Sequence, residues 1–174
     1  MDLLIADQDI VDLIIPKPVD GYDMDTQLFG SNEFKNSQGG LLFEGHIFPF
    51  IYTDGTNEKA RTFVLIDDEV SKVESNGVFK YVPIYIHVFT HKSLVALSNA
   101  EKVKYKKKGY FGTCRTDVLS TAIDNIFNKN SVFGIKRLEL KSAGIYKPSN
   151  DYYGRTLIYY AKCENIGGDD NCGN

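Results

Sequence analysis

The sequence has no tryptophan, three cysteines, five prolines and two methionines, and it lacks any long uninterrupted apolar run. Each scarcity excludes something. Cys114, Cys163 and Cys172 are odd in number and scattered, which fits a reducing compartment and not a disulfide scaffold. No apolar stretch approaches the roughly 20 residues of a membrane span, so no membrane is expected among the partners. The first residues, MDLLIADQDI, are acidic where a signal peptide would be basic. A net charge of −3 argues against nucleic acid as the main partner. What the chain does have is eleven tyrosines and eleven phenylalanines within a hydrophobic content of 43%. Aromatic residues suit strands. The length of 174 residues favours one domain with an arm or a tail.

One stretch has a clean helical period. In TDVLSTAIDNIFN, Thr116 to Asn128, the residues Val118, Leu119, Ala122, Ile123, Ile126 and Phe127 share one face. Thr116 is expected as the N-cap and Asp117 as the first-turn acid that suits the helix dipole. Asn128 to Ser131 supply the stop. Such a stripe needs cover, and its neighbours read as strands. The expected fold is therefore α+β: a mostly antiparallel sheet with a central helix packed on one face.

The rest of the chain completes that picture. Residues 1–15 read as a short N-terminal helix near 7–15, with Asp7 or Asp9 in its first turn and Pro16 and Pro18 ending it. Residues 16–41, rich in Gly, Asp, Asn and Ser, read as an extended arm or loop. LLFEGHIFPFIYT at 41–53 reads as a strand that Pro49 confines to an edge or a bulge. RTFVLIDDEV at 61–70 is a second strand, and Asn76-Gly77 suits a hairpin turn. VFKYVPIYIHVFT at 78–90 is the strongest strand. Its Val82, Ile84, Ile86 and Val88 point one way, and Tyr81, Tyr85, His87 and Phe89 the other. Pro83 within it again predicts an edge or a bulge. Between 92 and 112 lies a short helical turn and a basic loop. FGIKRLELK at 133–141 and RTLIYYAK at 155–162 form a closing C-terminal hairpin around a turn at 146–154. The acidic residues 164–174 read as a mobile tail.

Catalytic chemistry is missing from this inventory. His46, His87 and His91 have no Cys or His at metal-ligand spacing, so no metal site is expected. The glycine pairs at 39–40 and 167–168 lack the strand, spacing and Lys of a phosphate loop. Asp67, Asp68 and Glu69 read as solvated residues at a strand end. Cys114 beside Arg115 suggests a lowered thiol pKa, but no base is placed to use it. No catalytic residue, cofactor or enzymatic activity is expected. The candidate interface is the lysine run Lys102, Lys104, Lys106, Lys107 and Lys108. Its roles are contact with an acidic protein surface or, with Tyr105 and Tyr110 as stacking rings, with nucleic acid.

The element order, with the strand YVPIYIHVFT, the helix RTDVLSTAIDNIFN and the hairpin FGIKRLELKSAGIYKP…YYGRTLIYYAKC, resembles the tail terminator (tail-completion) proteins of long-tailed bacteriophages. The RTDVL helix start and the Tyr153-Gly154-Arg155-Thr156-Leu157-Ile158-Tyr159 ending carry the likeness. It covers roughly residues 42–163, and the long 16–41 segment departs from it. The resemblance implies a structural virion protein at the head–tail neck, assembled in the host cytoplasm. It implies a homo-oligomeric ring, commonly a hexamer, that ends the tail tube and joins it to the head-side connector protein. The implied partners are thus itself, the tail tube protein, the connector and DNA in the lumen. The arm 16–41 and the tail 164–174 would lie on neighbouring subunits. The alternatives are another neck, head-closure or baseplate protein, or a small nucleic-acid or protein binding module.

Overall fold

A computed structural model describes residues 4, 6–16, 46–48, 60–68, 72–73, 79–128 and 138–164. Among the described residues three helices have defined bounds: α1 (Gln8–Ile14), α2 (Asn99–Lys107) and α3 (Arg115–Phe127). Six strands are β1 (Ile47–Phe48), β2 (Thr62–Asp68), β3 (Lys72–Val73), β4 (Phe79–His91), β5 (Leu138–Tyr146) and β6 (Tyr152–Glu164). They form one sheet in the order β1-β2-β4-β6-β5, with β3 also paired to β4. Only β1–β2 is parallel. This is the expected α+β architecture, with a short N-terminal helix and a closing C-terminal hairpin. Most of the predicted arm and all of the predicted tail beyond Glu164 lie outside the described residues, as do Pro49, the Asn76-Gly77 turn and Glu69.

The alternation in β4 sorts the two faces as its sequence predicts. Ile84, Ile86 and Val88 enter the main core, with Val82 packed against it. Val118, Leu119, Ala122, Ile123 and Phe127 of α3 cover them, together with Ile10, Val11, Leu13 and Ile14 of α1. The opposite face carries a second cluster of Phe63, Leu65, Phe89 and Tyr152. Gly154 lets the rings lie flat there: a Cβ on it would stand 2.4 Å from Phe89 Cδ1. Tyr85, His87 and Phe89 stack in a row along that face, with centroids 6.3 Å and 6.0 Å apart.

Pro83 sits in a central strand, paired to Tyr160 of β6, and of its two expected settings the bulge is the one that fits. On its other side the register against β4 shifts by one residue between the pairs Asp68↔Ile84 and Lys72↔Tyr81, with Pro83 between them. A proline without an N–H is tolerated at such a shift. Other expectations need correction. Helix α3 begins one residue before Thr116, with Cys114 as its N-cap and no side-chain cap bond. Thr116 is instead fully buried, and its hydroxyl donates to Tyr153 O at 3.4 Å. The hairpin turn is shorter than predicted, because β5 runs on to Tyr146 and β6 starts at Tyr152. At the N-terminus the expectation of an acidic first turn is met by Asp9, and Asp7 caps α1, accepting from Asp9 N at 2.9 Å and Ile10 N at 3.3 Å.

Ile123 is 0% exposed beneath the sheet. Ile123→Asp strands an unpaired charge there, and a loss of about 4 kcal/mol or more is expected. Urea denaturation checks it, and a near wild-type midpoint would show that α3 does not pack this way.

Candidate interaction surface

The lysine run folds as a helix, correcting the predicted basic loop. Ser98-Asn99-Ala100-Glu101 makes a capping box: Ser98 Oγ accepts from Glu101 N at 3.2 Å, and Glu101 Oε2 accepts from Ser98 N at 2.8 Å. Gly109, at φ 81°, closes the other end. Its N–H donates to Lys106 O and that of Tyr110 to Tyr105 O, both at 3.1 Å, which is a Schellman motif. The Tyr105 and Tyr110 rings meet at 6.2 Å. Both rings are therefore used in ending the helix, and Tyr105 is buried.

Folding divides the five lysines. Lys104 Nζ reaches Asp12 Oδ2 at 2.9 Å and Asp9 Oδ1 at 3.2 Å, and Lys108 bonds the other Asp9 oxygen. Burial pushes the Asp9 carboxyl up, but the hydrogen bonds and charges of Lys108 and Lys104 outweigh it and hold it below its ordinary value. The bond to Asp12 raises Lys104 above the usual ammonium value, against some desolvation. These two lysines fasten α1 to α2. Lys102, Lys106 and Lys107 are exposed and make no ion pair among the described residues, with Val103 beside them at 55% exposure. Lys102 and Lys106, one turn apart, share a face. The free positive surface is thus three residues wide.

Buried Arg115 ties the base of α2 to α3. Its Nε donates to Leu94 O at 2.9 Å and its Nη2 to Glu101 Oε1 at 2.8 Å. The S-x-x-E spacing is a helix-start signal that the basic-loop reading passed over, and nothing local announced Arg115 as Glu101's second partner.

A second surface lies at the far edge of the sheet. β5 is outermost, and most of its residues from Lys141 onward are exposed, including Ile145 at 68% and Tyr146 at 48%.

The other residues singled out for chemistry stand apart. His46 Nδ1 donates to Thr62 O at 2.7 Å, His87 Nδ1 shares a hydrogen bond with Thr156 Oγ1 at 2.8 Å, and His91 Nδ1 does so with Ser93 Oγ at 2.8 Å. Among the described residues no three His, Cys, Asp or Glu gather as a metal site. Burial raises the Cys114 thiol above its usual value, correcting the expectation of a lowered one; its neighbour Arg115 is turned to Leu94 and Glu101. Asp67 and Asp68 end β2, as a strand-end pair should.

The model of a family described as YomW matches residues 7–161. No curated protein matches the chain.

Replacing Lys104 with Ala should cost on the order of 1 kcal/mol, because it loosens α1. The triple change Lys102→Gln, Lys106→Gln, Lys107→Gln should stay within about 0.5 kcal/mol of the parent, as surface changes do. Paired denaturation curves test the division.

A pH dependence also follows. Burial pushes His46 from 6.5 down to about 4, with the Arg61 charge in the same direction and the Thr62 hydrogen bond opposing. The fold holds the ring neutral. Stability is full above pH 6.5, where folded and unfolded rings are both neutral, and is lost as pH falls from 6.5 toward 4. Urea midpoints at pH 7.5 and 5 should differ, and His46→Gln should shrink the difference.

Proposed function

This chain belongs to the YomW family, whose name is phage-derived, and on that premise we propose that it is a structural virion protein of a tailed bacteriophage. In this reading it forms a ring at the head–tail neck, closed by copies of itself, that ends the tail tube and meets the head-side connector. The observation that carries the reading is the presence of two unlike surfaces: the lysine face of α2 and the exposed far end of β5 at Ile145 and Tyr146. A ring needs heterologous contacts, in which one patch meets a different patch on the next copy. Lys102, Lys106 and Lys107 are suited to an acidic surface on the tube or connector, or to DNA phosphates in the lumen. The resemblance to tail terminators in element order supports the same assignment, with a hexamer as the commonest form of such rings.

Light scattering over a range of concentrations and salts, with negative-stain images of the same samples, tests this. Closed rings, alone or on added tail tubes, are the expected result. A monomer that ignores tubes would overturn it. Salt-dependent DNA binding by that monomer, lost on neutralising the three free lysines, would favour the binding-module alternative.

A further inference from the structure

Helix α2 has two opposite faces. Glu101, Lys104, Tyr105 and Lys108 share one of them, at the i, i+3, i+4, i+7 spacing. This face fastens the helix to its own chain: Glu101 bonds Arg115, Tyr105 is buried, and the two lysines reach Asp9 and Asp12. Lys102, Val103, Lys106 and Lys107 fall on the other side. All four are exposed, Val103 at 55%, and the three lysines make no ion pair among the described residues. Fastened from within, α2 keeps this strip turned outward, where another molecule can bury it.

A groove of about 320 Å³ between α3 and the last two strands carries the matching pattern. Leu140 and Ala143 of β5 and Leu157 of β6 give it an apolar floor. Ile145, 68% exposed, continues that floor, since it stands two residues beyond Ala143 on the same face and pairs in register with Arg155 of the groove wall. On the α3 side Asp117, Ser120, Thr121 and Asp124 form a polar stripe. Arg155 neutralises Asp117. Asp124 accepts from the Tyr159 hydroxyl, and no cation pairs with it among the described residues. The wall therefore keeps one uncompensated negative charge. Ser120 is 4% exposed, and its Oγ has no hydrogen-bond partner among the described residues. Phe111, 75% exposed, stands on the rim. Its carbonyl accepts from Thr121 Oγ1 at 2.9 Å, and a Cβ on Gly112 would stand 2.2 Å from Asp117 Cβ. The backbone of the rim is thus held in place before anything docks, which lowers the cost of docking.

The two surfaces complement one another. An apolar residue among ammonium groups suits an apolar floor beside a carboxylate, and an amphipathic helix laid in a groove is a common way to join such surfaces. Every copy carries both halves. Because the halves are unlike, the contact between them is heterologous and passes from copy to copy.

We infer that α2 of one copy docks in the α3–β5 groove of the next, with Val103 on the floor of Leu140, Ala143 and Leu157 and a lysine beside Asp124. This rests on the ring reading, and it assigns the ring's contact. The test uses full-length chains with Cys114, Cys163 and Cys172 changed to Ser. One pool carries Val103→Cys and the other Ala143→Cys, both at exposed sites. The pools are mixed, assembled alone or on tail tubes, and oxidised. A disulfide-linked dimer formed only in the mixture is expected; each chain holds a single thiol, so the link must join two copies. In the parent chain, Val103→Asp should raise the concentration needed for rings about tenfold or more while leaving the unfolding midpoint unchanged. The triple change Lys102→Gln, Lys106→Gln, Lys107→Gln should raise it in the same direction. Rings without the mixed disulfide, or Val103→Asp rings at the parent concentration, overturn the inference and leave the ring reading standing. A triple variant that forms rings normally and loses only tube or DNA binding does the same. Absence of rings from the parent chain overturns both.

Discussion

All 13 residues of β4 pair with β6, and the rest of the molecule is hung on that ladder. The two strands are far apart in sequence, so the pairing must overcome the closure of a long loop before it is rewarded by contacts. The reward comes from α3, whose apolar stripe seals the ladder against water. Two polar ties to β6 fix the helix in register. Arg155 holds Asp117 in the first turn, and Tyr159, fully buried, donates to Asp124 at 2.9 Å. Burial, then the Asp124 charge, raises the Tyr159 hydroxyl far above the ordinary phenol value, so it stays a neutral donor. β2 and β5 are added on either side of this centre, and α1 covers what α3 leaves bare.

The charges follow the same economy of position. Asp9 is nearly buried, and a carboxylate there is tolerated because two ammonium groups reach it. That need gives Lys104 and Lys108 a structural role. The lysines left over face outward together, which is where an electrostatic contact with an acidic surface would act.

The α3 stripe, the two faces of β4 and the closing hairpin were all legible, because burial on one face imposes a period of 3.6 or 2 that survives in the bare sequence. Boundaries were less so. Thr116 has the chemistry of an N-cap, yet tertiary packing draws its hydroxyl to Tyr153 O and moves the helix start back to Cys114. Pro83 has the chemistry of an edge or a bulge, and it lies in a central strand where the register of the facing pairs shifts by one residue.

By itself, the sequence determined the periods and the excess of lysine between 102 and 108, since each depends only on neighbours a few residues away. Only the tertiary structure decided which of these lysines pair with α1. Lys104 and Asp12 are 92 positions apart, and Lys108 and Asp9 are 99 apart. An ion pair depends on distance in space, and for residues so remote along the chain that distance is set by packing alone.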